Sequence, residues 1–165
     1  FTFLNRGIGN QTSAQVINRF HAHIKPLKPK VIVIQVGVND LKTIPLFPER
    51  KHEIISNCKN NIQEIVQDSL EINATVVLTT IFPTGKVSFP RSLVWSNDVD
   101  EAIKEVNNYI LTLSGNNIVI FDTANTLSNS DRKIKPEYEY DLLHLNDAGY
   151  QALNVELKQI LEKME

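Results

Sequence analysis

The sequence contains a single cysteine, Cys58, among its 165 residues. One cysteine cannot build an intrachain disulfide framework, and it cannot supply a multi-cysteine metal site. No apolar run reaches the ~18 residues that a membrane-spanning helix needs. The net charge of −2 gives no electrostatic basis for binding nucleic acid or an anionic membrane surface. The sequence therefore gives no support for a disulfide-stabilised protein, a cysteine-ligated metal site, a membrane-spanning protein or a protein that binds nucleic acid or membrane surfaces.

The composition is typical of a soluble globular domain, with 42% hydrophobic and 22% charged residues. A chain of this length fits one domain and can bury a sizeable core. There are no internal repeats and no low-complexity segments. We therefore expect residues 1–165 to form a single domain, with its compartment left open between the cytoplasm and secretion.

Short β-branched apolar runs alternate along the chain with segments of helical periodicity. The predicted strands are residues 1–4, 31–36, 75–81 and 118–121, and the predicted helices are residues 12–25, 49–71, 97–113 and 146–163. Alternation of this kind predicts a parallel sheet with helices on both faces. In such folds the functional site lies at the carboxyl ends of the strands. A motif that carries chemistry should therefore directly follow a strand.

Two of the segments that pass this test are loops after the first and second predicted strands. The glycine-containing segment at residues 5–13 can present backbone N–H groups, but it has neither a dinucleotide fingerprint nor a phosphate-binding loop. The segment Gly37-Val38-Asn39-Asp40 follows the second strand. The Asn39 amide can donate to a developing oxyanion. The alternative is that this segment only forms a turn, because Gly37, Asn39 and Asp40 are all common turn residues.

The third segment, Asp141-Leu142-Leu143-His144, lies just before the last predicted helix. A histidine that acts as general base needs a partner that fixes its tautomer, and an aspartate three residues earlier can reach the ring. The alternative is a surface histidine that happens to lie beside a surface aspartate. The segment alone does not decide between these interpretations.

Taken together, the three segments resemble the SGNH (GDSL-type) hydrolase family in order and spacing. The resemblance covers essentially the whole chain and is most specific where His144 continues into Leu145-Asn146-Asp147-Ala148-Gly149-Tyr150. It implies a flavodoxin-like three-layer α/β/α sandwich with a parallel sheet. It also implies that His144 is the general base, Asp141 its orienting partner and Asn39 an oxyanion donor.

The sequence departs from the family pattern in its nucleophile and in one glycine. No Gly-Asp-Ser occurs among the 165 residues, so the serine-bearing strand is expected upstream of this chain. Ser13 is explained by a role in capping a helix, and Ser56 lies in the middle of one. The family's oxyanion glycine falls at Asn10, directly after Gly9, so the backbone N–H of either residue can complete the oxyanion hole.

The resemblance implies a serine ester hydrolase that forms an acyl-serine intermediate on a small-molecule ester and needs no metal or organic cofactor. The acyl or acetyl substrate classes left open are carbohydrate esters, lysophospholipids and thioesters. The alternatives are an inactive binding module on the same fold and a flavodoxin-like nucleotide or flavin binder. Three further sets of residues have no assigned role. Phe82, Phe89 and Trp95 are either walls of a pocket or ordinary packing, and Lys86 and Arg91 are loop cations that either contact an anionic group or are only solvated. The histidines His21, His23 and His52 are expected at the surface.

Overall fold

The structure is a computed structural model that describes residues 2–87, 89 and 95–164. Within these residues three parallel strands form one sheet in the order β1-β2-β3. They are Val31–Ile34 (β1), Thr75–Thr79 (β2) and Ile118–Phe121 (β3). The strands are rich in Val and Ile, which suits a parallel sheet covered on both faces. The predicted α/β fold with a parallel sheet is confirmed.

Helices connect the strands and cover the sheet. They are Ser13–His23 (α1), Val38–Leu41 (α2), Lys51–Glu71 (α3), Asn97–Leu111 (α4), Thr123–Leu127 (α5) and Asp147–Glu162 (α6). Short 3₁₀ turns lie at Lys25–Leu27, Ile44–Leu46, Pro48–Arg50 and Pro136–Tyr138. Each long helix lies close to its predicted range.

The core consists of two apolar layers on opposite faces of the sheet. Val76 and Leu78 of β2 pack into the layer that includes buried residues of α3 and α4. Val77, which points to the other face, packs into the layer formed with α6. This alternation along one strand follows from the two-residue period of β structure. Helices therefore pack on both faces of the sheet, which gives three layers in the order helix, sheet, helix.

The predicted strand at residues 1–4 is wrong for its described part, because residues 2–4 form no strand. Phe3 is 72% exposed and Leu4 is 62% exposed. A strand forms only where its backbone N–H and C=O groups pair with a neighbour, and local β propensity cannot supply that neighbour. Phe1 lies outside the described residues.

In the part of the chain that the structure describes, β1 forms one edge of the sheet. Thr75 donates its backbone N–H to the carbonyl of Lys30, at 2.8 Å, so the peptide groups at that position face β2. Peptide groups alternate in direction along a strand, and those of Val31 and Val33 therefore face the outer edge. Within the described ranges no strand pairs with that edge, and Val33 is 45% exposed. In the same residues, no helix combines the length and the apolar character needed to cross a membrane.

Candidate active site

The segment that carries Asn39 begins at a glycine in a backbone conformation that other residues rarely adopt. Gly37 has φ of 119°, and a Cβ there would lie 2.6 Å from Cδ1 of Ile81. The positive φ favours glycine at this position, and a larger residue would also displace the end of the Ile81 side chain. The turn leads into α2, where the Nδ2 group of Asn39 donates to the carbonyl of Gln11 at 2.9 Å. Because a side-chain amide has two N–H groups, one stays available for a second acceptor.

The neighbouring Asp40 joins this segment to the start of α1. Its Oδ2 accepts the backbone N–H of Ser13 at 2.9 Å, and its Oδ1 accepts the Ser13 hydroxyl at 2.6 Å. Asn61 of α3 donates to the same hydroxyl oxygen at 2.9 Å. Burial raises the pKa of Asp40, although the hydrogen bonds from Ser13 oppose that shift. This network fixes the two glycine-containing segments relative to each other.

Ser13 is fully buried, with 0% of its surface exposed, and its hydroxyl is committed to Asp40. It is not the residue that caps α1. The N-cap is Thr12, whose side chain accepts from Gln15 N–H while the Gln15 side chain accepts the Thr12 N–H. The capping interpretation of Ser13 is therefore wrong, and its hydroxyl instead anchors a buried carboxylate. Ser56 is exposed on α3, as its position within a helix predicts.

The first loop presents Gly9 and Asn10 at the surface. Asn10 adopts φ of 63°, a left-handed conformation that asparagine tolerates better than most residues. A Cβ at Gly9 would meet nothing within 4 Å, so the space beside this backbone is open. Lys42 approaches the Asn10 side chain, with Nζ 3.4 Å from Oδ1. The backbone N–H groups of this loop are the predicted second half of the oxyanion hole.

His144 and Asp141 are in direct contact. Nδ1 of His144 lies 2.9 Å from Oδ1 and 3.0 Å from Oδ2 of Asp141, within the ~2.6–3.2 Å that is typical of hydrogen-bonded catalytic pairs. The Asp141 carboxylate also accepts the backbone N–H groups of Leu143, at 2.8 Å, and of His144, at 2.9 Å. Partial burial opposes ionisation, yet these hydrogen bonds together lower the pKa of Asp141.

The far side of the His144 ring is open. The side chain is 65% exposed, and within the described part of the chain Asp141 is its only hydrogen-bond partner. Nε2, the nitrogen opposite the carboxylate, is therefore available to exchange a proton with a nucleophile. Among residues 2–87, 89 and 95–164, no serine hydroxyl lies within hydrogen-bond distance of this ring.

Asn39 and His144 both lie at the carboxyl edge of the sheet. Asn39 closely follows β1, and Gly37 contacts Ile81, which follows the parallel strand β2. The His144 loop reaches the same segment, because Gly85 donates its N–H to the carbonyl of Leu142 at 2.7 Å. The carboxyl ends of neighbouring parallel strands meet at one edge, so the two predicted site segments share that edge.

The remaining residues singled out from the sequence fall into several environments. His21, His23 and His52 are exposed, and no group of three or more metal-ligating side chains occurs in the described residues. Phe82 and Trp95 pack partly buried against the two core layers, whereas Phe89 is 80% exposed. Lys86 is exposed, and Arg91 lies outside the described residues. Sequence reasoning missed Gly85, which passes the same test of following a strand.

The fold is that of an α/β domain with a parallel sheet between layers of helices, and comparison with known proteins gives its family. The model of the GDSL-like lipase/acylhydrolase family matches residues 1–152. The chain therefore belongs to the GDSL-like lipase/acylhydrolase family.

Relatives and solved structures agree with this assignment. Platelet-activating factor acetylhydrolase IB subunit alpha2 of Bos taurus is 27% identical over 165 residues, covering 98% of this chain and 65% of the relative. The chain thus spans 65% of that relative's length. A GDSL-like lipase from Bacteroides thetaiotaomicron superimposes with a TM-score of 0.78 at 24% identity, covering 97% of this chain and 75% of the other. An acetyl xylan esterase superimposes with a TM-score of 0.68 at 22% identity, covering 93% and 78%.

Proposed function

We propose that this chain is the larger part of a serine ester hydrolase, in which His144 is the general base, Asp141 orients it and Asn39 donates to the oxyanion. The observation that carries the proposal is the His144–Asp141 contact, which leaves Nε2 open at the sheet edge shared with Asn39. A carboxylate on Nδ1 fixes the tautomer in which Nε2 accepts a proton, as catalytic triads require.

The nucleophile in this proposal is a serine on a strand upstream of residue 1. The open edge of β1 offers the outward peptide groups of Val31 and Val33 to such a strand. A parallel strand added there would end at the same carboxyl edge as β1, which is where Asn39 and His144 lie. Ser13 is excluded from this role by its burial and its bond to Asp40.

The reaction proceeds in two balanced halves. The serine Oγ bonds to the ester carbonyl carbon while its proton passes to Nε2 of His144. The Asn39 amide and the backbone N–H of Gly9 or Asn10 stabilise the oxyanion, and collapse expels the alcohol, which takes the proton from His144. Water then attacks the acyl-serine while His144 takes its proton. The tetrahedral intermediate collapses, His144 returns the proton to the serine oxygen, and the acid is released.

The substrate we propose is a small acyl ester of the carbohydrate ester, lysophospholipid or thioester class. Within these classes we place substrates with an acetyl group first. This preference rests on the name of the acetylhydrolase relative, which matches nearly the whole of this chain. Family membership supports ester-bond hydrolysis in general.

The test is hydrolysis of nitrophenyl acetate by the full-length protein and two variants. We expect His144→Gln to lower kcat by roughly 10³-fold or more, and Asn39→Ala by roughly 10²–10³-fold, because each removes one component of the catalytic site. His52→Gln, which changes an exposed histidine on α3, serves as the matched control and should retain full activity. A folded full-length protein without activity on nitrophenyl acetate, carbohydrate esters, lysophospholipids or thioesters would favour the binding-module alternative.

A further inference from the structure

The segment after β2 is joined to the His144 loop at two points. Gly85 donates its backbone N–H to the carbonyl of Leu142 at 2.7 Å. Lys86 donates its backbone N–H to Oε1 of Glu139 at 3.2 Å. These bonds reach the chain on both sides of Asp141, so they hold the backbone from which the aspartate and the histidine project.

The two segments approach each other so closely that only glycine fits between them. A Cβ at Gly85 would lie 2.8 Å from Oε1 of Glu139 and 2.9 Å from the backbone carbonyl oxygen of Asp141. The glutamate side chain could swing away from a larger residue. The Asp141 carbonyl belongs to the backbone, so it can move only if the whole turn moves.

Buried polar contacts fix Thr84, the residue directly before Gly85. The Thr84 side chain is 1% exposed, and its hydroxyl donates to Asp100 of α4 while it accepts from Nζ of Lys133 at 2.8 Å. Nζ of Lys133 also lies 2.7 Å from Oδ2 of Asp100. The backbone N–H of Ile134 donates to the Thr84 carbonyl at 2.9 Å. A satisfied polar network of this kind fixes one geometry.

His144 cannot obtain its orientation from packing, because its side chain is 65% exposed. Its ring is held by Asp141, and the position of Asp141 is set by the backbone of the turn. We propose that Thr84, Gly85 and Glu139 form a clamp that positions this turn, so that Nε2 of His144 is held where the serine needs it. These are positioning residues rather than catalytic ones, and the inference rests on the proposed role of His144 as general base.

The central variant is Gly85→Ala in the full-length protein, with Gly115→Ala as the matched control. A Cβ at Gly115 would meet nothing within 4 Å, so the control adds the same methyl group without a clash. We expect Gly85→Ala to lower kcat for nitrophenyl acetate by roughly 10–100-fold, since small displacements of catalytic groups are costly. KM should change little, because the clamp does not contact substrate in this account. Gly115→Ala should match the wild type in both.

A second readout follows the histidine itself and does not depend on turnover. Nuclear magnetic resonance of the ring, assigned with His144→Gln, reports the hydrogen bond between Nδ1 of His144 and the Asp141 carboxylate. Displacing the carboxylate should shift the ring resonances in Gly85→Ala and leave them unchanged in Gly115→Ala, because only the first substitution disturbs the turn. If the full-length protein hydrolyses no ester, the proposed function fails, and these ring resonances still decide whether the clamp exists.

Glu139 provides an independent variant should Gly85→Ala fail to fold. Glu139→Ala removes the acceptor for Lys86 N–H, and we expect a smaller loss of kcat, roughly tenfold at most, with a shift of the His144 ring resonances. Glu139→Gln keeps an acceptor oxygen and should restore most of the rate. Wild-type kcat together with wild-type His144 ring resonances in either Gly85→Ala or Glu139→Ala would overturn the clamp.

Discussion

Asp141 organises its turn through one carboxylate that accepts from the His144 ring and from the backbone N–H groups of Leu143 and His144. The backbone bonds shape the turn, and the ring bond directs Nε2 outward. Partial burial raises the pKa of Asp141, but these bonds outweigh that effect and lower it. Its ionised form is therefore the one that the fold stabilises, and this contribution is lost as pH falls through the lowered pKa.

Asp141→Asn tests whether this carboxylate also serves catalysis. The amide keeps one oxygen that can accept the backbone N–H groups, so the unfolding free energy should fall only by the contribution that ionised Asp141 makes. The tautomer and the charge that support His144 are lost, so kcat should fall by between roughly tenfold and 10⁴-fold. Steady-state kinetics and urea unfolding of the full-length protein measure the two effects. An unchanged kcat would show that Asp141 only shapes the turn.

The pKa of Asp40 shifts in the opposite direction to that of Asp141. Burial raises it, and this effect outweighs the hydrogen bonds from Ser13 that lower it. Between the ordinary aspartate pKa of about 3.9 and the raised value, the folded protein binds more protons at this site than the unfolded protein does. The folded state therefore loses stability at Asp40 as pH rises through this window.

Asp40→Asn removes that titration while it preserves the size of the side chain. The difference in unfolding free energy, variant minus wild type, should increase as pH rises from below about 4 towards neutrality. Urea unfolding at a series of pH values measures it. A difference that stays constant with pH, or that decreases as pH rises, would contradict a raised pKa at Asp40.

Some of these residue contacts could be predicted from the sequence, and others could not. Asp141 and His144 are three residues apart, so a single turn brings them together wherever that turn forms. Ser13 and Asp40 are separated by 27 positions, and their bond depends on how α1 packs beside α2. The same packing assigns Ser13 to Asp40 and leaves the cap to Thr12, which is why the capping prediction for Ser13 was wrong.

Secondary structure was predictable where local signals agree with packing. The predicted strand at residues 118–121 matches β3, because an apolar run between turns leaves little freedom at its ends. β1 and β2 end two residues earlier than predicted, at Ile34 and Thr79, since pairing stops before the apolar residues do. Residues 2–4 have a strand-like composition but form no strand, because a local pattern carries no information about pairing.

Helix α1 holds the first loop against the Asn39 segment, and its N-terminus depends on the reciprocal bonds between Thr12 and Gln15. Thr12→Ala removes the side-chain acceptor of the capping box and should lower the unfolding free energy by about 1 kcal/mol. Thr12→Ser keeps that acceptor and should stay close to the wild type. Urea unfolding compares the three proteins. Equal stability of Thr12→Ala and the wild type would show that packing alone fixes this helix end.

At the scale of the whole molecule, the proposed upstream strand would pair with the edge of β1 that no other described strand occupies. If an upstream strand pairs there, the outward N–H groups of Val31 and Val33 become hydrogen-bonded in the full-length protein. Their amide hydrogen exchange should then be much slower in the full-length protein than in residues 1–165 alone. Ile32, whose peptide groups face β2, serves as the internal control. Equal exchange at Val33 in both proteins would place the upstream segment elsewhere.

The central claim is that His144 activates a serine that lies outside residues 1–165. The most direct measurement is labelling of the full-length protein with a fluorophosphonate probe, followed by mass-spectrometric mapping of the modified peptide. We expect one labelled serine upstream of residue 1, and loss of that labelling in His144→Gln. Labelling of a serine within residues 1–165, such as Ser13, or upstream labelling that persists in His144→Gln, would contradict it.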